Sequence, residues 1–358
     1  MAFDPSTIDF YRQLFTGAVV DGFRVNELIS TGEFGLVFAG ADTRTEIPVA
    51  VKVMPANTDD TANFEFKREG QLLERLRTCS NVVDMLKTGE TTVPLATGAA
   101  SVNLGIRYHI LEFADGCLED MIATPEFATA ISPLDKLRLW RQIVIAIHQM
   151  HLKKTVHRDL KSSNCLLFGD GVNVRCKVAD LGRSRDLTKP QRMNINYING
   201  RGDTRFAAPE HIFMQGQTSD SHQFAVDLYG LGSVFFELFT GLGITSTVIP
   251  KPRQEMLNAM AAYRRGQIIR LEGLRSRYRT VVEGLASALP SPIRIEASNL
   301  LMQLCDPVPE RRFPPARPNR KREEPPALNW LIRRVDILIR ALEVAKNVRP
   351  AATSNRRT

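Results

Sequence analysis

Five cysteines (Cys79, Cys117, Cys165, Cys176 and Cys305) are scattered along the chain, and no two form a C-x-x-C pair. That spacing argues against a disulfide framework and against a zinc site. A reduced, cytoplasmic setting is the expectation. No internal repeat is found, which removes solenoid and propeller architectures. The first residues, MAFDPSTIDFYRQLF, have an acid near their start and no long apolar core, so a secretory signal is not expected. A long uncharged apolar run is missing as well. The nearest to one, AVDLYGLGSVFFELFTGLGITST at residues 225–247, contains Asp227 and Glu237. An Asp near a bilayer centre costs about 2.5–3.5 kcal/mol. The segment is therefore read as a buried core helix, and no membrane span is expected. Excess charge is missing from the main body too. Residues 311–358 hold 13 Lys and Arg against 4 Asp and Glu, which accounts for the whole +8 of the chain. The preceding residues carry close to no net charge, so no nucleic-acid surface is expected.

What is present is enough for a sizeable core: 43% of the 358 residues are hydrophobic. The runs FRVNELI and LVFAGAD flank a glycine-containing turn, and IPVAVKVM follows; all three read as strands. TANFEFKREGQLLERLR has Phe66, Leu72, Leu73 and Leu76 at helical spacing and reads as a helix despite Gly70. NVVDMLKTGE and IRYHILEFA read as two more strands, with TTVPLATGAASVN a small-residue loop between them. Residues 1–22 form an N-terminal extension, and residues 23–113 a five-stranded sheet with one helix. Beyond Gly116 the pattern turns helical. SPLDKLRLWRQIVIAIHQMHLKK is a long helix with Ser132 as N-cap and Pro133 at its first position, and further helices are expected near 225–240 and across 254–306. The helical part spans 114–313. A Pro-rich basic linker covers 314–327, and a last helix with a basic tail covers 328–358. The expected class is α+β, a β-rich N-terminal lobe followed by a mainly helical C-terminal lobe.

One short stretch concentrates chemistry. TVHRDLKSSNCLLF, residues 155–168, sets Asp159, Lys161 and Asn164 within six residues, just before a strand-like run. Five other features keep a fixed order with it: STGEFGLV (30–37), VAVK (49–52), Glu69 in the first helix, DLG (180–182) and APE (208–210). Each alone is weak. Together, in these contexts, they resemble the eukaryotic-type protein kinase family over residues 23–313.

The physics of each part is legible. A turn with Gly32 and Gly35 lets backbone N–H groups approach phosphates, with Ser30 where the family usually has a third glycine and Phe34 at the tip. The resemblance implies that Lys52 contacts the α- and β-phosphates of ATP and pairs with a carboxylate of the helix. Glu65, Glu69 and Glu74 compete for that pairing; Glu69 is favoured because Leu73, one turn on, shares its face. It further implies that Asp159 orients and accepts the proton of the acceptor hydroxyl, that Lys161 steadies the moving phosphoryl group, and that Asn164 and Asp180 ligate Mg2+. Adenine is expected against Ile29, Val37, Ala50 and Leu166, with Leu111 behind and the backbone of Glu112 and Ala114 at its edge. The resemblance also implies that His157 is a scaffold residue and makes Arg158 a candidate clamp for an activation-segment phosphate. It pairs Glu210 with Arg312 and gives Asp227 the task of pinning the catalytic loop.

The pattern departs at Leu181, where the family has Phe, and at Asp203, where it has a small Thr. Thr188, Tyr197 and Thr204 are candidate phosphosites. The implied function is Mg-ATP-dependent phosphorylation of protein Ser or Thr, the Ser/Thr choice resting on Lys161. The alternative is a pseudokinase scaffold, supported only by Ser30, Leu181 and Asp203. A small-molecule kinase is opposed by APE, Asp227 and Arg312. The last helix, LNWLIRRVDILIRALEVAK, is amphipathic and basic; docking on the helical lobe, a partner protein and an acidic membrane surface all stay open for it.

Overall fold

The computed structural model describes residues 3–32, 35–56, 60–97, 100–124, 131–169, 174–190, 203–315 and 327–347. Its first elements are helix α1 (Pro5–Phe15) and strands β1 (Val19–Val20), β2 (Phe23–Gly32), β3 (Gly35–Asp42) and β4 (Pro48–Met54). Helix α2 (Asp60–Leu76) precedes β5 (Met85–Thr97), β6 (Ala100–Glu112) and β7 (Gly116–Cys117). Then come α3 (Leu118–Ala123), α4 (Pro133–Leu152), β8 (Thr155–Val156), β9 (Cys165–Phe168), β10 (Arg175–Val178) and β11 (Arg185–Asp186). The remainder is helical: α5 (Pro209–Ile212), α6 (Asp220–Thr240), α7 (Ile244–Val248), α8 (Pro252–Arg264), α9 (Arg275–Ala286), α10 (Arg294–Leu304) and α11 (Asn329–Asn347). Two compact units result, one of Met1–Cys117 with Leu166–Arg185, the other of Leu118–Cys165 with Asp186–Thr358.

The first unit is built on a six-stranded sheet, order β1-β2-β3-β4-β6-β5. Side chains alternate across it, so register assigns each residue to a face. In β4, Val49, Val51 and Val53 point one way, with Leu36, Phe38, Ile106, Tyr108 and Ile110 beside them. Ala50 and Lys52 point the other way, in register with Leu111 and His109. Helix α1 covers the first of these faces through Tyr11 and Phe15, and Tyr11 Oη accepts a hydrogen bond from the Ala56 N–H at 2.7 Å. Its N-cap is Asp4, whose carboxylate accepts from the Thr7 N–H.

Residues 1–22, read as an N-terminal extension, contribute α1 and the edge strand β1. One sequence reading is corrected here. The stretch TTVPLATGAASVN, read as a loop, extends β5 and β6 into a hairpin of two 13-residue strands, paired from Met85↔Leu111 to Thr97↔Ala100. Small residues and Pro94 hid the strand. Pro94 is tolerated because β5 is the sheet edge, and Val93 beside it is buried.

The second unit packs around α6, which is buried along almost its whole length, Asp227 and Glu237 included. Trp140 of α4 donates its indole N–H to the Leu231 carbonyl at 2.9 Å. Close approach needs glycine at Gly232, where a Cβ would lie 2.5 Å from Cys305 Sγ. Among the described residues, no helix is long and apolar enough to cross a membrane. Helix α11 lies along α4 with Leu331, Val335, Leu338 and Leu342 buried, and ion pairs Arg141–Asp336 (2.6 Å) and Arg138–Glu343 (2.9 Å) flank the contact. Such exposed pairs contribute little, so burial of the leucines holds this helix.

F15A removes a fully buried ring that stacks on Tyr11 and lies tilted against Phe38. The expected cost is about 3 kcal/mol, read as a lower urea midpoint for the first unit. An unchanged midpoint would mean that α1 does not pack there.

Candidate active site

In the first unit, β2 and β3 close a hairpin with Gly32 and Gly35 in register. Gly35 has φ of +130°, and a Cβ there would meet the Val53 carbonyl oxygen at 2.6 Å. No other residue fits. Phe34 lies outside the described residues. Ser30 and Ile29 are exposed on β2, whereas Val37 is in register with Lys52 and shares its face of the sheet with Ala50 and Leu111. Leu166 sits on β9, which pairs with β7 through Cys117↔Leu166.

Lys52 Nζ lies 2.7 and 2.9 Å from the two Glu69 carboxylate oxygens and 3.3 Å from Asp180 Oδ1. Burial works against the Lys52 ammonium, but two carboxylates outweigh it and hold its pKa above the ordinary value. Glu69 is itself held up by burial and by the neighbouring Asp180 charge, against the pull of Lys52 and the Leu181 N–H. Of the three candidate glutamates, Glu69 is thus the partner. Glu65 is buried in the same helix. Asp180 is in the left-handed region at φ 59°, a conformation that non-glycine residues rarely adopt. Arg68 braces the turn after it by donating to the Gly182 carbonyl at 2.6 Å.

At the positions expected to meet the edge of adenine, the Glu112 N–H is taken by the Asp84 carbonyl at 3.0 Å. Its carboxylate accepts from Lys177 at 2.6 Å and from the Asp84 N–H at 2.7 Å. Ala114 is half-buried.

In the second unit the stretch 157–164 is pinned from below. The Asp227 carboxylate accepts from the N–H groups of His157 (2.9 Å) and Arg158 (2.7 Å) and is joined to His151 Nε2 at 2.8 Å. Burial opposes that charge, but these partners hold it below the usual carboxylate range. Asn164 donates Nδ2–H to the Asp159 carbonyl at 2.8 Å, which fixes which end of its amide is the oxygen. Asp159 and Lys161 are both partly accessible. Next to them, Ser162 donates to Glu237 at 2.8 Å, and burial pushes Glu237 up to about 7. Asp203 is half-buried and ion-paired with Arg205 at 2.6 Å. Burial works against its charge, but Arg205, with a weaker contribution from Lys161, keeps its pKa low. Thr188 is exposed and donates to Asp186, Thr204 is half-exposed, and Tyr197 lies outside the described residues. Glu210 and Arg312 form a fully buried two-pronged pair at 2.7 and 2.6 Å, with Arg312 stacked over Tyr229.

A family model for the protein kinase domain matches residues 23–318. The chain is a protein kinase family member. Its fold is the protein-kinase fold, a β-rich first part and a mostly helical second. The chain is 30% identical over 221 residues to a probable serine/threonine-protein kinase of Dictyostelium discoideum, covering 61% of this chain and 39% of that one. It is 28% identical over 221 residues to cyclin-dependent kinase D-1 of Oryza sativa subsp. japonica, covering 62% and 46%. To the probable serine/threonine-protein kinase PknB of Bifidobacterium longum it is 28% identical over 222 residues, covering 61% and 30%. The chain spans less than half of the length of each.

The sequence reading of this kinase domain missed Lys177, Asp84, Ser162 and His151. Lys177 left one signal, a lone lysine in the apolar strand CKV. A strand position this buried requires a carboxylate partner, and nothing local names Asp84 or Glu112, both more than 60 residues away. The donors expected to hold magnesium, a carboxylate and an amide oxygen, suit a hard cation. Among the described residues no cluster of three or more His, Cys, Asp or Glu forms a metal cage.

His211, buried beside Glu210, gives a pH prediction. Burial pushes it down to about 4; Glu210 opposes the shift, while Arg158, His222 and Arg312 add to it. The unfolded chain takes up this proton near pH 6.5, the folded chain only near 4. Stability is therefore intact above about pH 6.5 and lost as pH falls toward 4, by up to about 3 kcal/mol from this group. Thermal melts between pH 4 and 7 should show H211N losing less than wild type over that window; parallel curves would assign the loss to other groups.

Proposed function

We propose that this kinase domain transfers the γ-phosphoryl group of Mg-ATP to a Ser or Thr hydroxyl of a protein. The observation that carries the reading is the buried ammonium of Lys52, held by Glu69 and by Asp180. A lysine fixed that way is a preorganised cation for polyphosphate, and it loses no chain freedom when substrate arrives. Val37, Ala50 and Leu166 receive the adenine ring together with Ile29, and the Glu112 carbonyl and Ala114 N–H meet its polar edge. Gly32 and Gly35, with Ser30 and Phe34, form the loop over the phosphates.

The acceptor hydroxyl gives its proton to the Asp159 carboxylate as its oxygen bonds to the γ-phosphorus and the bond to the β-phosphate oxygen breaks. Lys161 meets the charge on the moving phosphoryl oxygens. Asp180 and Asn164 offer oxygens to magnesium, which when bound neutralises charge on the β- and γ-phosphates. Two features support a protein acceptor: the Glu210–Arg312 pair and the Asp227 anchor, which brace the helical unit of the family around its catalytic loop. The Ser/Thr choice rests on Lys161 and on the names of the relatives.

Radiolabel transfer from ATP to a mixed protein substrate, with autophosphorylation mapped, tests the proposal. K52M and D159N should each lower transfer by at least about a hundredfold. D159N should do so with ATP affinity little changed. Wild-type protein that binds ATP and labels nothing would favour the scaffold reading instead.

A further inference from the structure

The glycine in the middle of α2 has a structural reason, and it is a histidine. Gly70 follows Glu69, and a Cβ at this position would lie 2.8 Å from His109 Cε1 and 3.4 Å from Nδ1. That is closer than carbon atoms pack, so α2 comes this near the sheet only because residue 70 has no side chain. His109 is on β6, in register with Lys52 on β4, and the two side chains share one face of the sheet. Both reach α2. Lys52 takes Glu69; His109 takes the turn that precedes and follows it.

Its imidazole stacks on the Phe66 ring, centroids 4.0 Å apart and planes 8° from parallel. Nε2 lies 3.1 Å from the Phe66 carbonyl oxygen, and Nδ1 lies 2.7 Å from Thr88 Oγ1. A carbonyl only accepts, so Nε2 carries the hydrogen and Nδ1 accepts from the Thr88 hydroxyl. The ring is 2% exposed, and burial together with the nearby Lys52 charge pushes its pKa down to about 4, which keeps it in this neutral form. Phe66 and Glu69 are three residues apart and lie on one face of the helix. α2 is thus held to the sheet at two points one helical turn apart, an ion pair and a neutral histidine latch.

We propose that His109, with Gly70 as the space that admits it, is a positioning residue that sets the height of α2 over the sheet and so fixes Glu69 against Lys52. The inference rests on the kinase reading, in which the Lys52 ammonium meets phosphate. A single ion pair fixes a distance. The second attachment fixes the helix rotation and depth, which the carboxylate needs in order to hold Lys52 with both oxygens.

The test uses the full chain as wild type, G70A, H109A and G70A/H109A. Alanine is the better helix former, so G70A by itself favours α2 and acts against function only through the imidazole it meets. G70A is expected to lower phosphoryl transfer at saturating ATP by about tenfold to a hundredfold. It should also shrink the affinity advantage of ATP over adenosine, which lacks the phosphates, while adenosine binding stays within about twofold of wild type. G70A/H109A should be no worse than H109A alone, because the ring that the new methyl meets is gone. If H109A does not fold, H109Q replaces it, since an amide keeps a donor for the Phe66 carbonyl and an acceptor for Thr88. Wild-type turnover and wild-type affinity ratio in G70A would overturn the latch, as would a double variant that loses the product of the two single losses. A wild-type protein that transfers no phosphate would fail the kinase reading alone, and the ATP-to-adenosine affinity ratio would still decide the latch.

Discussion

A lysine buried in a strand is tolerated only where carboxylates meet it, and Lys52 is met by two. Isolated, an ammonium at that depth would give up its proton or unfold its surroundings. Paired with Glu69 and Asp180, it ties a strand, a helix and the turn after β10 into one arrangement. These three come from residues 52, 69 and 180, far apart in the chain. Three other features of the first unit lie around that arrangement. Helix α1 covers the opposite face of the sheet and, through Tyr11, holds the end of β4 at Ala56. Gly35 lets the hairpin close over Val53. Arg68 holds the turn that begins at Leu181.

The second unit uses the same principle with different groups. Asp227 and the Glu210–Arg312 pair are charges inside a helical core, and each is surrounded by hydrogen-bond partners. Removing one member of such a buried pair costs about 3–5 kcal/mol, because the partner is left charged and dry. Asp227 is spent on backbone N–H groups of the stretch carrying Asp159, so its charge sets the path of the chain there. That is why an acid sits in so apolar a helix as α6. The departures from the usual family pattern fit their surroundings. Leu181 is fully buried, and Asp203 brings its own counterion in Arg205.

Legibility differed from element to element for physical reasons. The cap of α4 was readable, because Ser132 and Pro133 act within one turn, and Ser132 accepts from the Asp135 N–H as expected. The hairpin of β5 and β6 was not. Its threonines, alanines and Pro94 carry no strong strand signal, and the pairing along a partner strand supplies what the residues themselves lack. Helix α1 has its Asp4 cap in plain view, yet a short amphipathic segment gives no hint of which surface it covers. Gly70 looked like a defect in a helix until His109 stood beside it. Glu69 could be favoured over Glu65 and Glu74 because helical faces follow from spacing.

Sequence by itself determined the order of motifs, the alternation of strand and helix, the class of fold and the residue types proposed to meet phosphate and metal. These follow from local spacing, from hydrophobic period and from chemistry that only certain side chains possess. Tertiary structure alone decided which carboxylates satisfy Lys177, which ring fills the gap left by Gly70, and how the N-terminal helix joins the sheet. Those partners lie tens of residues away, and a buried charge or a missing side chain states only that something must meet it. What meets it is fixed when the backbone has brought the two together.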